Sequence, residues 1–265
     1  MISAQMNLEA MIGRAGAARQ ERSLKKLQVI YEPAGRAREY AARAANLYSG
    51  CDHRCLYCYA PRAVHKTVQA FSVVSERQNI LRKLEEDCKA LSGVDIEPVL
   101  LSFTCDPYSR FDEVHGLTRK ALQIFRKHDV SFQVLTKGGV RAARDFDLYG
   151  PKDVFASTLT FIDPEKSQEW EPGAALPEDR FEAARRAHDM GIRTWVSLEP
   201  VICPAESLQI IDLMEPYVDL FKVGTLNHHQ LGKTIDWKSF GTEAIRKLQK
   251  YNKNYYIKED LRAYL

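Results

Sequence analysis

From about Ala45 onward, short β-rich runs alternate with amphipathic stretches, and no other feature of this chain narrows its possible folds as far. The runs cover residues 45–49, 98–103, 131–136, 153–159, 192–198 and 218–223. Helix-like segments lie between them. Ser75, with Gln78 three residues on, reads as a capping box for a helix carrying Ile80, Leu81 and Leu84 on one face. Thr118 reads as the N-cap of 119–128, with Leu122, Ile124 and Phe125 apolar. Pro177 suits the first turn of 177–190, and Gly191 stops it. Segments 207–217 and 242–251 complete the helices, and residues 255–265 add a short strand and a cap. Strands alternating with helices call for a parallel sheet with right-handed crossovers. Six units rather than eight predict an α/β fold, either an incomplete barrel or a strongly curled sheet. In either form the chemistry gathers on the loops leaving the strands' C-terminal ends. Polar residues do follow the predicted strands.

Composition adds less. A chain of 265 residues buries a sizeable core. It has no run near the ~20 apolar residues of a membrane span, and Met1–Ala10 lack the charged-then-apolar layout of a secretory signal. The expectation is a cytoplasmic protein with no membrane partner. The net charge of +3 is uneven along the chain. Residues 1–50 carry eight basic and four acidic side chains, 51–220 carry 21 and 27, and 221–265 carry nine and four. Basic ends thus flank an acidic middle, a pattern that suits a polyanion such as DNA and also many solvated surfaces.

Six cysteines are too few for a disulfide scaffold. Three of them, Cys51, Cys55 and Cys58, fall within eight residues just after the first predicted strand, and Cys88, Cys105 and Cys203 are scattered. Three thiolates on one tight loop can converge on a soft metal centre. A zinc site needs four ligands, usually as two separated pairs, and His53 lies awkwardly between Cys51 and Cys55 for the fourth. Three cysteines suit a four-iron cluster with one iron left open to a ligand.

The Cys-x3-Cys-x2-Cys spacing, with Tyr57 before the last cysteine, resembles that of the radical S-adenosylmethionine (SAM) superfamily. The likeness continues through Asn46 to Pro61, Thr104-Cys105-Asp106-Pro107-Tyr108, Leu117-Thr118-Arg119 and Leu135-Thr136-Lys137. Ser157-Thr158-Leu159-Thr160, Glu171-Pro172 with Arg180, and Ser197-Leu198-Glu199-Pro200 follow. Over about residues 32–225 the chain resembles the spore photoproduct lyase-like family. That resemblance implies a partial (β/α)6 TIM-like barrel at 44–225, with a basic N-terminal extension at 1–43 and a C-terminal helix and small cap at 226–265. It also implies a [4Fe-4S] cluster on Cys51, Cys55 and Cys58, SAM at the open iron, and an external flavodoxin- or ferredoxin-like one-electron reductant. Reductive cleavage of SAM then yields a 5′-deoxyadenosyl radical that abstracts hydrogen from the substrate.

Cofactor contacts are expected at the strand ends. Tyr57 is expected to hold the adenine through its backbone, or else is a packing aromatic. Thr104 and Asp106 suit the methionine ammonium, although an Asp before Pro107 is also a common turn former. Lys137 suits the methionine carboxylate, with Gly138-Gly139 allowing close approach. Ser157 suits the carboxylate or ribose, and Glu199 the ribose or ammonium. Arg180 with Glu171 reads more readily as a structural ion pair.

Tyr57 and Tyr59 match tyrosines proposed for radical relay in the lyase. The lyase's hydrogen-donating cysteine falls at Phe103 here, so Cys105, two places on and on the same strand face, is the candidate donor. It is equally a plain small strand residue. Three classes follow. The first is a radical enzyme acting on a nucleic-acid base, by repair of a thymine-type lesion or rearrangement of a modified thymine. The second acts on a small metabolite or peptide, and the third is a non-catalytic metal-binding module. DNA would be gripped by Arg14, Arg19, Arg22, Lys25, Lys26, Arg36, Arg38 and Arg43. At the other end, Tyr251, Tyr255 and Tyr256 lie among Lys247, Lys250, Lys253 and Lys258, an aromatic-interleaved basic patch or a solvated helix with its tyrosines packed inward.

Overall fold

A computed structural model describes residues 27–227 and 229–265. Its strands are β1 (Tyr48–Ser49), β2 (Ser75–Glu76), β3 (Val99–Leu101), β4 (Phe132–Thr136), β5 (Val154–Thr158), β6 (Arg193–Leu198), β7 (Leu220–Val223) and β8 (Asn254–Ile257). Strands β3 to β8 make one sheet in sequential order, with every neighbouring pair parallel. Helices α1 (Ile80–Leu91), α2 (Leu117–Lys127), α3 (Pro177–Asp189), α4 (Pro204–Met214) and α5 (Trp237–Lys250) supply the longer helical cover. The edge strands β3 and β8 do not pair with each other, so the partial barrel is open along one side.

The sheet is buried on both faces, which explains its near-continuous apolar strands. Alternate residues serve two cores. Val99, Leu101, Phe132, Val134 and Phe155 pack against α1 and α2 in the first half, and Val196, Leu198, Phe221 and Val223 against α4 and α5 in the second. Leu122 and Phe125 of α2 are fully buried in this way, each contributing about 1.5–3 kcal/mol. The opposite set, including Leu100, Ala156 and Trp195, meets Ala41 and Ala44 inside the curl.

Ala41 belongs to the basic N-terminal extension expected at 1–43, and Ala44 follows it directly. Residues 27–43 are instead pinned to the body. The backbone N–H groups of Gln28, Val29 and Ile30 all donate to the buried Asp87 carboxylate at 2.8–3.0 Å. After one 3-10 turn (Gly35–Glu39), residues 39–45 reach both edges of the open sheet. Ala45 N–H donates to Leu100 O, and Leu100 N–H to Arg43 O, each at 2.9 Å. On the far side Lys222 Nζ donates to the Glu39 and Tyr40 carbonyls at 3.0 Å, and Glu39 accepts from Tyr256 OH (3.1 Å) and Glu259 N (2.8 Å). Arg14, Arg19, Arg22, Lys25 and Lys26 lie outside the described residues.

Three local expectations are corrected. The first predicted strand, 45–49, gives the sheet only the Ala45 N–H bond to Leu100 O, next to the Ala44–Leu100 bridge, and Tyr48–Ser49 pairs antiparallel with β2 instead. The sixth strand of the sheet is β8, whose register on β7 runs Leu220 to Asn254 through Val223 to Ile257. Ser75 lies in β2 and caps nothing, since α1 begins after Asn79 in the left-handed region. Thr118 sits inside the first turn of α2, where the Asp112 carboxylate accepts its N–H at 2.8 Å and so performs the capping. Pro177 and Gly191 (φ +75°) bound α3 as expected. Among the described residues no helix is long and apolar enough to cross a membrane.

Candidate functional site

The cysteine loop leaves Ser49 at Gly50, whose φ of +89° and lack of a side chain let Cys51 N–H donate to Phe71 O at 2.9 Å. On its other flank Gly173 N–H donates to His53 O at 2.9 Å, and Leu56 N–H to Trp170 O at 2.9 Å. A methyl group on Gly173 would collide with the Asp52 carbonyl. Two glycines therefore seat the loop between residues 71–73 and 170–173.

Cys51, Cys55 and Cys58 all line one cavity of about 580 Å³ at the C-terminal ends of the strands. Burial pushes all three thiols up, Cys55 to about 12 despite the opposing Lys137 charge, so thiolate formation there calls for a bound cation. His53 is not grouped with them as a fourth ligand: its ring nitrogens lie 3.4 Å from Asp106 Oδ2 and 3.5 Å from Arg141 Nη2. Among the described residues no three His, Cys, Asp or Glu side chains are drawn together as a single-ion shell.

Thr104 and Lys137 line the same cavity. Thr104 Oγ1 and the neighbouring Ser102 Oγ are buried without a hydrogen-bond partner, a state that calls for a ligand or water. Lys137 Nζ stands 5.5 Å from the Tyr57 ring centre. Burial opposes its charge, but Cys55, Glu171 and Asp106 outweigh that and hold its pKa above the usual lysine value. These orphaned groups, beside three cysteines, fit a cluster and a zwitterionic cofactor. Tyr57 OH donates to Glu171, which also accepts from Thr160 Oγ1 (3.1 Å) and pairs with Arg180 Nη2 at 2.5 Å. Glu171 and Arg180 are thus the buried ion pair expected, with the added task of fixing Tyr57.

The structure separates the remaining candidates. Asp106 Oδ1 accepts from Tyr108 N (2.8 Å) and Thr136 Oγ1 (2.6 Å), and Oδ2 from Lys137 N (2.8 Å), with His53 beside it. Burial would raise its pKa, yet His53 and these hydrogen bonds hold it below the usual carboxylate range. Three hydrogen bonds and the His53 contact at 3.4 Å tie Asp106 to the ends of β3 and β4 and to the cysteine loop, and it lines the cavity as well. On β5 it is Thr158 that lines the cavity, and Ser157 Oγ is buried unpartnered one residue earlier. Glu199 lines the cavity but accepts from Tyr40 OH, Lys258 Nζ and Asn227 Nδ2 (3.4 Å). Cys105 lines the cavity half-buried, its thiol raised by burial. Tyr59 is 47% exposed, with OH donating to Phe103 O at 3.2 Å.

Tyr40, Asn46 and Asn227 were missed as site residues, and Lys258 was assigned to a surface patch. Lys258 is buried between Glu199 and Glu39 (3.7 Å), with Nζ 4.2 Å from the Tyr40 ring centre. Its place just after β8 was the available signal. Asn46 Oδ1 accepts from the N–H groups of Phe103 (2.9 Å) and Thr104 (2.8 Å), shaping the end of β3. The rest of that patch is internally paired as well. Lys247 and Tyr251 both bind Asp212, Lys253 faces Glu215 at 3.7 Å, and Lys250 lies over Tyr251. At the other end, Arg36 pairs with Asp260 at 2.5 Å, Arg43 faces Glu32 at 3.9 Å, and Arg38 donates to Pro33 O.

The Radical SAM superfamily profile matches residues 45–215, and the chain belongs to that superfamily. Its members use a [4Fe-4S] cluster and SAM, so these are the cofactors of the chain. An uncharacterized protein of Acidianus two-tailed virus is 25% identical over 173 residues, 61% of this chain and 56% of the viral protein. One of Methanocaldococcus jannaschii is 26% identical over 190 residues, 69% of each chain. The match thus spans little more than half of the viral relative. Among solved structures, a spore photoproduct lyase variant with bound AdoMet and dinucleoside spore photoproduct superposes with TM-score 0.68 and 14% identity, over 88% of this chain and 79% of that one. Streptococcus suis SuiB bound to precursor peptide SuiA gives 0.63 and 12%, over 94% of this chain and 54% of that one. Both likenesses are of fold, and the chain is a radical SAM superfamily member of spore photoproduct lyase-like architecture.

Proposed function

We propose that this radical SAM enzyme abstracts hydrogen from a nucleic-acid base, as in repair of a thymine-type lesion or rearrangement of a modified thymine. When bound, the reduced cluster and SAM supply a 5′-deoxyadenosyl radical as hydrogen-atom acceptor. Cys51, Cys55 and Cys58 hold the cluster, and Thr104, unpartnered beside them, binds the amino-acid end of SAM together with the charged Lys137. Tyr57, fixed by Glu171, walls the adenine. Cys105 returns hydrogen to the product, with Tyr59 beside the same opening as a relay.

The observation that carries the choice of a base is the aromatic wall. Tyr40, Phe103 and Tyr59 line the cavity, with Tyr40 edge-on to Phe103 at 6.0 Å between centres. Such faces suit a planar unsaturated ring. The fold likeness to a lyase holding a dinucleoside agrees with this reading. A peptide is the second reading, favoured by the SuiB likeness. The deciding measurement is 5′-deoxyadenosine release after anaerobic reconstitution, against DNA, nucleosides, metabolites and peptides, with deuterium followed from substrate to product. About four irons per chain are expected. Release and deuterium transfer only with peptides would refute the base. Cys51→Ala, Cys55→Ala or Cys58→Ala abolishes SAM cleavage, whereas Cys88→Ala, in the core of α1, leaves it intact. An unchanged product from Cys105→Ala excludes that thiol as donor.

A further inference from the structure

The cavity has two polar ends, set on opposite halves of the sheet. Thr104 and Lys137, which follow β3 and β4, stand with the cysteines at one. Glu199, Asn227 and Lys258, which follow β6, β7 and β8, make the other, together with Tyr40 from the segment at the open side. Tyr40, Asn227 and Lys258 all fall outside residues 45–215, the stretch that matches the superfamily. The cofactors are common to the superfamily. A polar end built largely from outside the common stretch is therefore suited to the substrate.

The hydrogen bonds at that end leave a definite remainder. Glu199 Oε2 accepts from both Tyr40 OH and Lys258 Nζ, whereas Oε1 accepts from Asn227 Nδ2 alone among the described residues, at 3.4 Å. A carboxylate oxygen has two acceptor positions, so Oε1 can take a further donor. Lys258 Nζ carries three N–H donors. Glu199 accepts one of them, and Glu39 Oε2, at 3.7 Å, lies beyond hydrogen-bond reach. A charged donor thus sits beside a charged acceptor in the cavity wall, with the Tyr40 ring centre 4.2 Å from Lys258 Nζ.

A ligand that satisfies both must present a carbonyl oxygen and an N–H side by side. A trans peptide bond points the two in opposite directions. An amide closed into a ring points them the same way, as the imide edge of thymine or uracil does. Bases held in enzyme pockets are read along such an edge, between aromatic or apolar side chains, and Tyr40, Phe103 and Tyr59 supply the aromatic faces.

We infer that Glu199 and Lys258 determine specificity by gripping the lactam edge of a flat ring. The ring N–H donates to Glu199 Oε1, and the adjoining carbonyl oxygen accepts from Lys258 Nζ. Tyr40 is a positioning residue that fixes the carboxylate. The inference rests on the base reading proposed above and narrows it to rings bearing a C(=O)–N–H unit.

Equilibrium dialysis of the anaerobically reconstituted, SAM-loaded chain against thymidine and 3-methylthymidine tests it. The added methyl replaces the ring N–H and leaves the carbonyls and the sugar unchanged. The parent is expected to bind thymidine at least about tenfold more tightly, since a site built around an N–H rejects the analogue that lacks it. Glu199→Gln exchanges a charge-assisted hydrogen bond for a neutral one. It is expected to cut that preference to about threefold or less, with SAM affinity as in the parent. Lys258→Met/Glu199→Gln, which keeps the buried charges balanced, is expected to bind the two nucleosides alike. The methylated ligand on the unaltered chain needs no variant, so misfolding of either variant leaves the test intact. Equal affinity of the parent for both nucleosides overturns the lactam contact and leaves the base reading standing. A parent-like preference in Glu199→Gln assigns the carboxylate to the fold, and loss of SAM affinity assigns it to the cofactor. Either result overturns the inference, as does binding of neither nucleoside by the parent. Release of 5′-deoxyadenosine on peptides alone is what refutes the base reading beneath it.

Discussion

Glu199 is held by Tyr40, Asn227 and Lys258, and Gly224 gives it room: a methyl group there would stand 2.8 Å from its carboxyl carbon. Lys258 is almost wholly buried, and its charge is balanced by Glu199 and Glu39. A buried pair broken on one side leaves an uncompensated charge, which typically costs 3–5 kcal/mol, whereas losing both charges costs far less. Lys258→Met is therefore expected to destabilise the chain by about 3–5 kcal/mol, and adding Glu199→Gln should restore part of that loss. Urea unfolding of the two variants checks it. A single variant within about 1 kcal/mol of the parent would show that solvent already screens the pair. Sequence placed Glu199 correctly at a strand end but could not show that its partners come from three distant stretches of chain. Asp106 illustrates the same limit, since its position was legible and its bonds to Tyr108, Thr136 and Lys137 were not.

At the level of elements, periodicity located five of the six strands of the sheet, because parallel strands buried on both faces leave continuous apolar runs, and the sixth, β8, falls where 255–265 were expected to add a short strand. It failed where tertiary contacts override local pattern. Tyr48 and Ser49 have strand-like composition but pair with β2, and the bore of the barrel is filled by residues 39–45, which show no periodicity of their own. Lys222 anchors that segment from mid-strand, with Nζ over Trp195 at 4.5 Å. Burial, reinforced by Lys258, pulls its pKa down to about 8. An unfolded lysine binds its proton more tightly, so below about pH 8 the folded state carries the full penalty. Stability relative to Lys222→Met is therefore expected to rise with pH, by about 2 kcal/mol between about pH 7.5 and about pH 9.5. Denaturant midpoints at both pH values test this, and a flat difference would place the titration elsewhere. The cysteine loop has an equally local dependence. Gly173→Ala forces the Asp52 carbonyl aside, with a stability loss of about 1–3 kcal/mol and lower iron incorporation under matched reconstitution. Parent-like iron content would show that the loop yields without losing its grip on the cluster.

Across the whole molecule, net charge says little about which cations are free. The basic C-terminal stretch that looked ready for nucleic acid is largely paired from within. Lys247 is held by Asp212, Lys253 by Glu215, and Lys258 is buried. Arg36 is paired with Asp260 at the other end of the chain. A cation already neutralised by a neighbour releases little counterion on meeting a phosphate, and each free one contributes a slope of about 0.9 to the fall of log K with log salt. Replacing Lys247, Lys250 and Lys253 by Gln is therefore expected to change the salt slope of DNA binding by less than about 1. Replacing Arg14, Arg19, Arg22, Lys25 and Lys26, which lie outside the described residues, is the contrasting variant. Filter binding to a short duplex at several salt concentrations separates the two. A slope reduced by about 2–3 in the first variant would mean that those lysines leave Asp212 and Glu215 to grip the backbone, and would return the C-terminal helix to the substrate surface.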